Sequence, residues 1–249
     1  MTELPDGWYE VVGRGRMGEA IAEALRAAGI AVRGPQGRGA SAVGATVVLL
    51  CVPDREIAAA AAAVASGPVV GHLSASAALA LLAPHERFTM HPLLSVVGAG
   101  ARFHGVTAAV EASTPRAHAL ANALATRLGM RPRPIDAGQR ALYHAAASAA
   151  SNYLVTVEGL AERLGAPVGL DREALAPLVR STVENWARLG AGAALTGPIA
   201  RGDLATARRQ RDAVAQTLPD ALPFWDALVA ATASLAAAAA TSSETGRPC

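Results

Sequence analysis

Apolar positions follow two regimes along this chain, and the change between them divides it. Up to residue 135, short apolar runs alternate with helically spaced stretches. The runs are Tyr9–Val12, Gly29–Arg33, Ala45–Val52, Pro68–His72, Arg87–His91, Val106–Glu111 and Met130–Ile135. Runs of this length, separated by helical patterns, predict strands of a parallel sheet. Ala45–Val52 is continuously apolar, as a strand buried on both faces should be. Between the runs, Ile21, Leu25 and Ala28 share one helical face, Asp54 is placed to cap a helix, and Thr114-Pro115 opens another. From Asp136 the period-two signal is gone. Asp136-Ala-Gly-Gln139 resembles a capping box, and the helix it opens is expected to run to about 164. Further helices are expected near 171–189, 203–217 and 220–240, with Asp203 capping the third of these four.

The first run ends in Gly13-Arg14-Gly15-Arg16-Met17-Gly18 and leads straight into a helix. Strand, G-x-G-x-x-G turn and helix is the context in which that spacing binds a dinucleotide. Gly13 permits the tight turn, Gly15 leaves room for a pyrophosphate, and Gly18 lets helix and strand approach. The helix N-terminus, with Met17 in its first turn, offers N–H groups and a positive dipole end to the phosphates. The expected fold class is therefore α/β. A Rossmann-type parallel-sheet domain, 1–136, precedes an all-helical domain, 137–240, and a disordered tail, 241–249.

Arg33 to Ala45 is too short for a further helix and strand, so Ala45–Val52 should lie beside the first strand, across the switch point. Val52 and Pro53 would then face the cofactor. No carboxylate ends the second strand to hold a ribose 2′-OH. Arg33 and Arg38 stand there instead, with Arg14 and Arg16 in the turn, and arginines suit a 2′-phosphate. This favours NADP(H) over NAD(H). Two later strands end in His72 and His91, at the strand ends where open α/β sheets bind ligands, and His91 is read as lining the substrate side.

On the long helix, His144, Ser148 and Asn152 recur at i, i+4 and i+8, with Ser151 beside them and alanines between. Small residues with a line of hydrogen-bonding groups suggest a face set against a polar ligand. Arg201, in Thr196-Gly-Pro-Ile-Ala-Arg-Gly-Asp203, either pairs with Asp203 or clamps an anionic group.

Composition narrows the chemistry. All 22 basic residues are Arg, so a Schiff-base or general-acid lysine is excluded. The formal charge of +2, without a basic cluster, gives no reason to expect nucleic acid. No apolar run is read as long enough to span a bilayer, the N-terminus does not resemble a secretory signal, and a cytoplasmic protein is expected. Cys51 and Cys249 form no disulfide framework or metal site.

The glycine turn, Val52-Pro53-Asp54, His72-Leu-Ser, His91-Pro-Leu, Tyr143-His144-Ala-Ala-Ala, Ser151-Asn-Tyr-Leu154, Leu195-Thr-Gly-Pro and Arg201-Gly-Asp203 together carry a resemblance. The chain is similar to a bacterial family joining a Rossmann-like domain to a C-terminal helical domain of unknown function. Its members are usually called NADP-dependent or deazaflavin-dependent oxidoreductases. They look like distant relatives of pyrroline-5-carboxylate reductase, ketopantoate reductase and 6-phosphogluconate or 3-hydroxyisobutyrate dehydrogenases. The resemblance implies a small-molecule substrate, an active site between the domains and a homodimer through the helical domain. It often brings a Lys and an Asn one turn apart on the long helix. Here His144 with Ser148, or Ser148 with Asn152, holds the comparable spacing. The expectation is NADPH-dependent reduction of a C=O or C=N group, with His144 as proton donor and Ser148 and Asn152 orienting the substrate. A sensor or scaffold that binds the nucleotide without hydride transfer is the alternative, and deazaflavin is a weaker cofactor candidate.

Overall fold

The computed structural model describes residues 4–98 and 100–245. Cys249 and the last residues of the expected tail, 246–249, lie outside the described residues. The strands are β1 (Tyr9–Val12), β2 (Val32–Gln36), β3 (Val47–Leu50), β4 (Val69–His72), β5 (Arg87–Pro92), β6 (Thr107–Ala112) and β7 (Arg131–Pro134). The α-helices are α1 (Arg16–Ala27), α2 (Ile57–Ala63), α3 (Pro115–Arg127), α4 (Arg140–Ser148), α5 (Leu154–Gly165), α6 (Arg172–Leu189), α7 (Ala191–Ala194), α8 (Leu204–Thr217) and α9 (Leu222–Thr245).

The strands form one seven-stranded sheet in the order β2-β1-β3-β4-β5-β6-β7. This is the expected Rossmann-type α/β fold with a helical C-terminal part. β1 lies between β2 and β3, so the run ending at Val52 does sit across the switch point. One pairing departs from the expected parallel sheet. β5 and β6 are antiparallel, with His91 opposite Ala109 and Thr89 opposite Glu111. The direct connection from β5 to β6 carries no helix, so it cannot return the chain for a parallel pairing.

Chain contacts divide the protein into two compact units, Met1–Ser151 and Asn152–Cys249. The division falls after α4 rather than at Asp136, because α4 meets the sheet through Arg140 and Tyr143. In the first unit, the odd positions of β1 and β3 (Tyr9, Val11, Val47, Leu49) pack with Ile21 and Leu25 of α1 and Leu120 and Leu124 of α3. The even positions (Val12, Val48, Leu50) pack with Val70 and with Ile57, Ala60 and Ala61 of α2. Thr114 caps α3 by accepting from the Ala117 N–H, with Pro115 in the first turn, as the sequence suggested.

Asp54 does not cap a helix. It lies in a 3₁₀ turn, Asp54–Glu56, ahead of α2. Its carboxylate instead accepts from Ser74 Oγ at 2.8 Å and Ser76 Oγ at 2.5 Å. Two hydroxyl donors from the loop after β4 outcompete the backbone N–H groups of its own turn.

Among the described residues, the second unit contains helices and no strand. Asp203 caps α8 through the Thr206 N–H at 3.0 Å. Arg201 turns to the Thr196 carbonyl. Arg163–Asp220 and Arg211–Asp226 tie helices at 2.6 and 2.8 Å. Leu160, Val214 and Ala221 are its only fully buried apolar side chains among the described residues. Val155, Leu178, Trp186 and Leu204 are each more than half exposed. α9 continues to Thr245, past the expected end near 240. It also corrects the expectation about apolar runs. Pro219–Thr241 is long and apolar enough to cross a membrane, with a mean hydropathy of 1.4. The apolar runs Ala227–Ala231 and Leu235–Ala240, with only Thr232 and Ser234 as polar residues between them, supply much of this value.

Candidate functional site

The glycine turn leaves β1 at Val12 and enters α1 at Arg16. Each glycine there has a separate steric reason. Gly13 has φ +119°, and a Cβ on it would lie 2.2 Å from the Cys51 carbonyl oxygen. A Cβ on Gly18 would lie 1.9 Å from the Gly13 carbonyl oxygen. A Cβ on Gly15 would meet nothing within 4 Å, so its missing side chain leaves open space. Gly15 is the N-cap of α1, and no side chain caps that end. Open room over an uncapped helix N-terminus fits the diphosphate of a dinucleotide. Val52 packs against the core, Pro53 is exposed, and the turn's Arg14 and Arg16 are exposed. Met17, in the first turn of α1, is partly buried and packs its side chain on the core.

The arginines after the turn are placed unequally. The Arg33 guanidinium lies 3.7 Å from the centroid of the Trp8 ring. Trp8 precedes β1, so this cation–π contact draws Arg33 toward the N-terminal ends of the strands, away from the ligand edge. Arg38 follows the C-terminal end of β2 and pairs with Glu56 at 2.5 Å. The Gln36 carbonyl at that strand end accepts from the Gly13 N–H at 2.9 Å, which sets the end of β2 beside the turn.

The second part of the site is a polar layer. Thr89 and His91 of β5 alternate with Phe88 and Met90, which belong to the apolar core on the other face. Thr89, His91, Glu111 of β6, and Arg140 and Tyr143 of α4 line a small cavity of about 10 Å³. That is room for a single water molecule. Arg140 pairs with Glu111, and both side chains are largely buried, at 15% and 20% exposure. His91 Nδ1 lies 2.7 Å from the Tyr143 hydroxyl, with the rings edge to face at 5.7 Å between centroids.

His72, fully buried at the end of β4, accepts the Ser74 N–H on Nδ1 at 3.2 Å. Its Nε2 is buried and makes no hydrogen bond of normal geometry. Burial lowers its pKa to about 4, with Arg140 acting in the same direction and Asp54 against it. Burial also lowers His91 to about 4, helped by His144 and opposed by Asp54. Tyr143 is pushed up to about 12 by burial, against the pull of Arg140. The edge formed by the ends of β3, β4 and β5 therefore holds neutral imidazoles and a protonated phenol at neutral pH.

The polar stripe is only partly as the spacing suggested. His144 is exposed and close enough to His91 to influence its charge. Ser148 ends α4 half-buried. Residues Ala149–Tyr153 then form a π turn, in which i→i+5 bonds replace the regular ladder. A residue four places after Ser148 is therefore not stacked beneath it. Asn152 is exposed and begins the second unit, and Ser151 Oγ is used internally by the Ala147 carbonyl. Tyr143, Arg140 and Glu111 were missed in the sequence. Tyr143 stood in the stretch Tyr143-His144-Ala-Ala-Ala that carried the resemblance, but nothing in the sequence assigned it a role. A cavity of about 1060 Å³ opens instead at the N-terminal strand ends between Pro5, Tyr9, Ile30, His118 and Asn122, far from this chemistry.

The profile of the family described as domain of unknown function DUF2520 matches residues 106–232, just over half of the 249 residues. The chain belongs to the DUF2520 family. No curated protein matches this DUF2520 chain in sequence. Solved structures do share its fold. A candidate NADP oxidoreductase of Bacteroides fragilis is 19% identical with a TM-score of 0.78, over 92% of this chain and 98% of that one. A Thermotoga maritima protein is 22% identical with a TM-score of 0.76, over 92% and 98%. An imine reductase of Streptomyces aurantiacus is 22% identical with a TM-score of 0.63, over 91% and 93%.

Proposed function

We propose that this DUF2520 chain is an NADPH-dependent oxidoreductase that reduces a small C=O or C=N compound. The observation that carries the reading is the glycine turn, where Gly13 and Gly18 are required by close backbone contacts and Gly15 opens space over an uncapped helix N-terminus. The names of two fold relatives, an NADP oxidoreductase and an imine reductase, agree with it. The cofactor, when bound, supplies the hydride. Gly13, Gly15 and Gly18 seat its diphosphate, and Val52 and Pro53 border it at the end of β3. Arg14 and Arg16 in the turn and Arg38 after β2 are the arginines assigned to a 2′-phosphate, with Arg33 held back on Trp8. His91 lines the substrate side, and His144 and Ser148 extend the polar surface along α4. Asn152, exposed, begins the second unit. His144, exposed on α4, is the proton donor that the sequence nominates.

The exposed apolar side chains of the helical unit, Val155, Leu178 and Trp186 among them, support a homodimer through that unit. Sedimentation equilibrium of the whole protein tests it, and a monomer at micromolar concentration overturns it.

The functional test is calorimetric titration with NADPH and NADH, followed by NADPH oxidation against a panel of cyclic imines and 2-keto acids. Tighter NADPH binding and turnover on one class support the reading. Tight NADPH binding with no turnover across the panel would instead make the protein a nucleotide-binding sensor.

A further inference from the structure

The contact between β5 and α4 places one hydrogen bond inside the polar layer that the reading above leaves without a role. His91 Nδ1 and the Tyr143 hydroxyl oxygen are 2.7 Å apart. A neutral imidazole carries one N–H and a phenol one O–H, so the bond can be filled in two ways. If Tyr143 donates, its only proton is committed to His91. If His91 Nδ1 donates, the phenol oxygen is held as an acceptor and its proton remains free. The second arrangement is that of a general acid. The oxygen is fixed, the proton is available, and the negative charge left after transfer meets an N–H donor already in place.

Resting on the reductase reading, we propose that Tyr143 is the proton donor of the reduction and that His91 is its positioning residue. In the step, the substrate carbon gains a hydride and the π pair of the C=O or C=N bond moves onto oxygen or nitrogen. That atom takes the Tyr143 proton. The tyrosinate left behind accepts the His91 N–H bond and regains its proton from water.

Three features separate Tyr143 from His144. Tyr143 is half-buried and pinned by His91, whereas His144 is exposed with no hydrogen bond to fix its ring among the described contacts. Burial pushes the Tyr143 pKa up to about 12, so the phenol holds its proton until the transfer, while Arg140, one turn earlier on α4, acts against burial on the side of the tyrosinate. Glu111 balances Arg140, so the layer carries no unpaired cation when the phenol is neutral. The groups facing His91 are His72, His144, Asp54 and Arg140, and burial keeps His91 neutral among them at pH 7.

Nitrogen NMR on histidine-labelled protein reads the bond directly, without turnover. A His91 protonated on Nδ1 supports the assignment, and a His91 protonated only on Nε2 overturns it, because the phenol proton is then already donated. The kinetic arm uses the best substrate of the imine and 2-keto acid panel. Tyr143→Phe should lower kcat by roughly 100-fold or more with NADPH affinity and melting temperature retained. His91→Asn, whose amide can still donate to the phenol, should keep most of kcat, whereas His91→Phe should fall toward the Tyr143→Phe level. Equal losses in the two His91 variants would mean a packing role and overturn the positioning claim. Turnover by the native chain with Tyr143→Phe unchanged overturns the assignment alone. No turnover by the native chain on any substrate overturns the reductase reading, and the donor assignment falls with it.

Discussion

The Cβ that Gly18 lacks would stand 1.9 Å from the Gly13 carbonyl oxygen, while the one that Gly15 lacks would stand in open space. The same motif therefore contains two glycines that close backbone contacts require and one that the fold itself does not require. Substitution separates them. Gly18→Ala should destabilise the first unit by about 1 to 3 kcal/mol, because backbone must shift to admit the methyl group. Gly15→Ala should leave the urea midpoint unchanged and weaken NADPH binding. Calorimetry beside urea unfolding of both variants checks this. A stability loss in Gly15→Ala with binding intact would reverse the assignment.

Cofactor selectivity should follow Arg38 more than Arg33. Arg38→Ala is expected to weaken NADPH binding by roughly tenfold and NADH binding little, since a charge-assisted hydrogen bond contributes about 1.5 to 3 kcal/mol. Arg33→Ala should cost less, because its guanidinium rests on Trp8. Dissociation constants for both nucleotides, measured on both variants, decide it.

Acid should weaken the first unit through His72 and His91. Their folded pKa values, each about 4, lie below the usual 6.5 of an unfolded imidazole. Above that usual value both states are neutral and nothing is gained or lost. As pH falls from 6.5 toward 4, the unfolded chain binds protons that the folded chain does not, so stability falls, and below 4 the slope ends. The full loss is on the order of 3 kcal/mol per imidazole, with His91, the less buried of the two, contributing the smaller part. Urea midpoints from pH 7.5 to 4.5 measure it, and His91→Asn should flatten the slope. A native chain equally stable at both ends would contradict the burial of these rings.

The strand, glycine turn and helix could be read from the chain because their determinants are local. Three glycines at fixed spacing, an apolar strand before them and a helix after them need no knowledge of distant residues. The neighbour relation of β1 and β3 followed from chain length alone, and the Thr114 and Asp203 caps followed from residues within one turn. What escaped notice depends on partners far apart in sequence. Asp54 is a sound capping residue by type, but Ser74 and Ser76 claim it. Arg33 has the right charge for a phosphate, but Trp8 draws it the other way. The i, i+4, i+8 stripe assumed a regular helix, and the π turn at Ala149–Tyr153 has no signature in an alanine-rich sequence. Tyr143 gains its meaning only when β5 brings His91 to within 2.7 Å of it, across 52 positions of chain.

The layer between α4 and the sheet has a further consequence, for the order in which the molecule comes apart. α1 and α3 are fastened by fully buried side chains such as Ile21, Leu25 and Leu124, whereas α4 contributes none. Its hold is an ion pair, a phenol–imidazole bond and little apolar area, so it should open at lower free energy than the global transition. Amide hydrogen exchange should show α4 deuterating well ahead of α1 and α3, with protection rising when nucleotide and a substrate analogue are added together. Equal protection across the three helices would contradict this. The segment that carries Tyr143 would then be the part of the first unit most readily lifted and replaced, so solvent would reach the phenol between turnovers without the sheet ever unfolding.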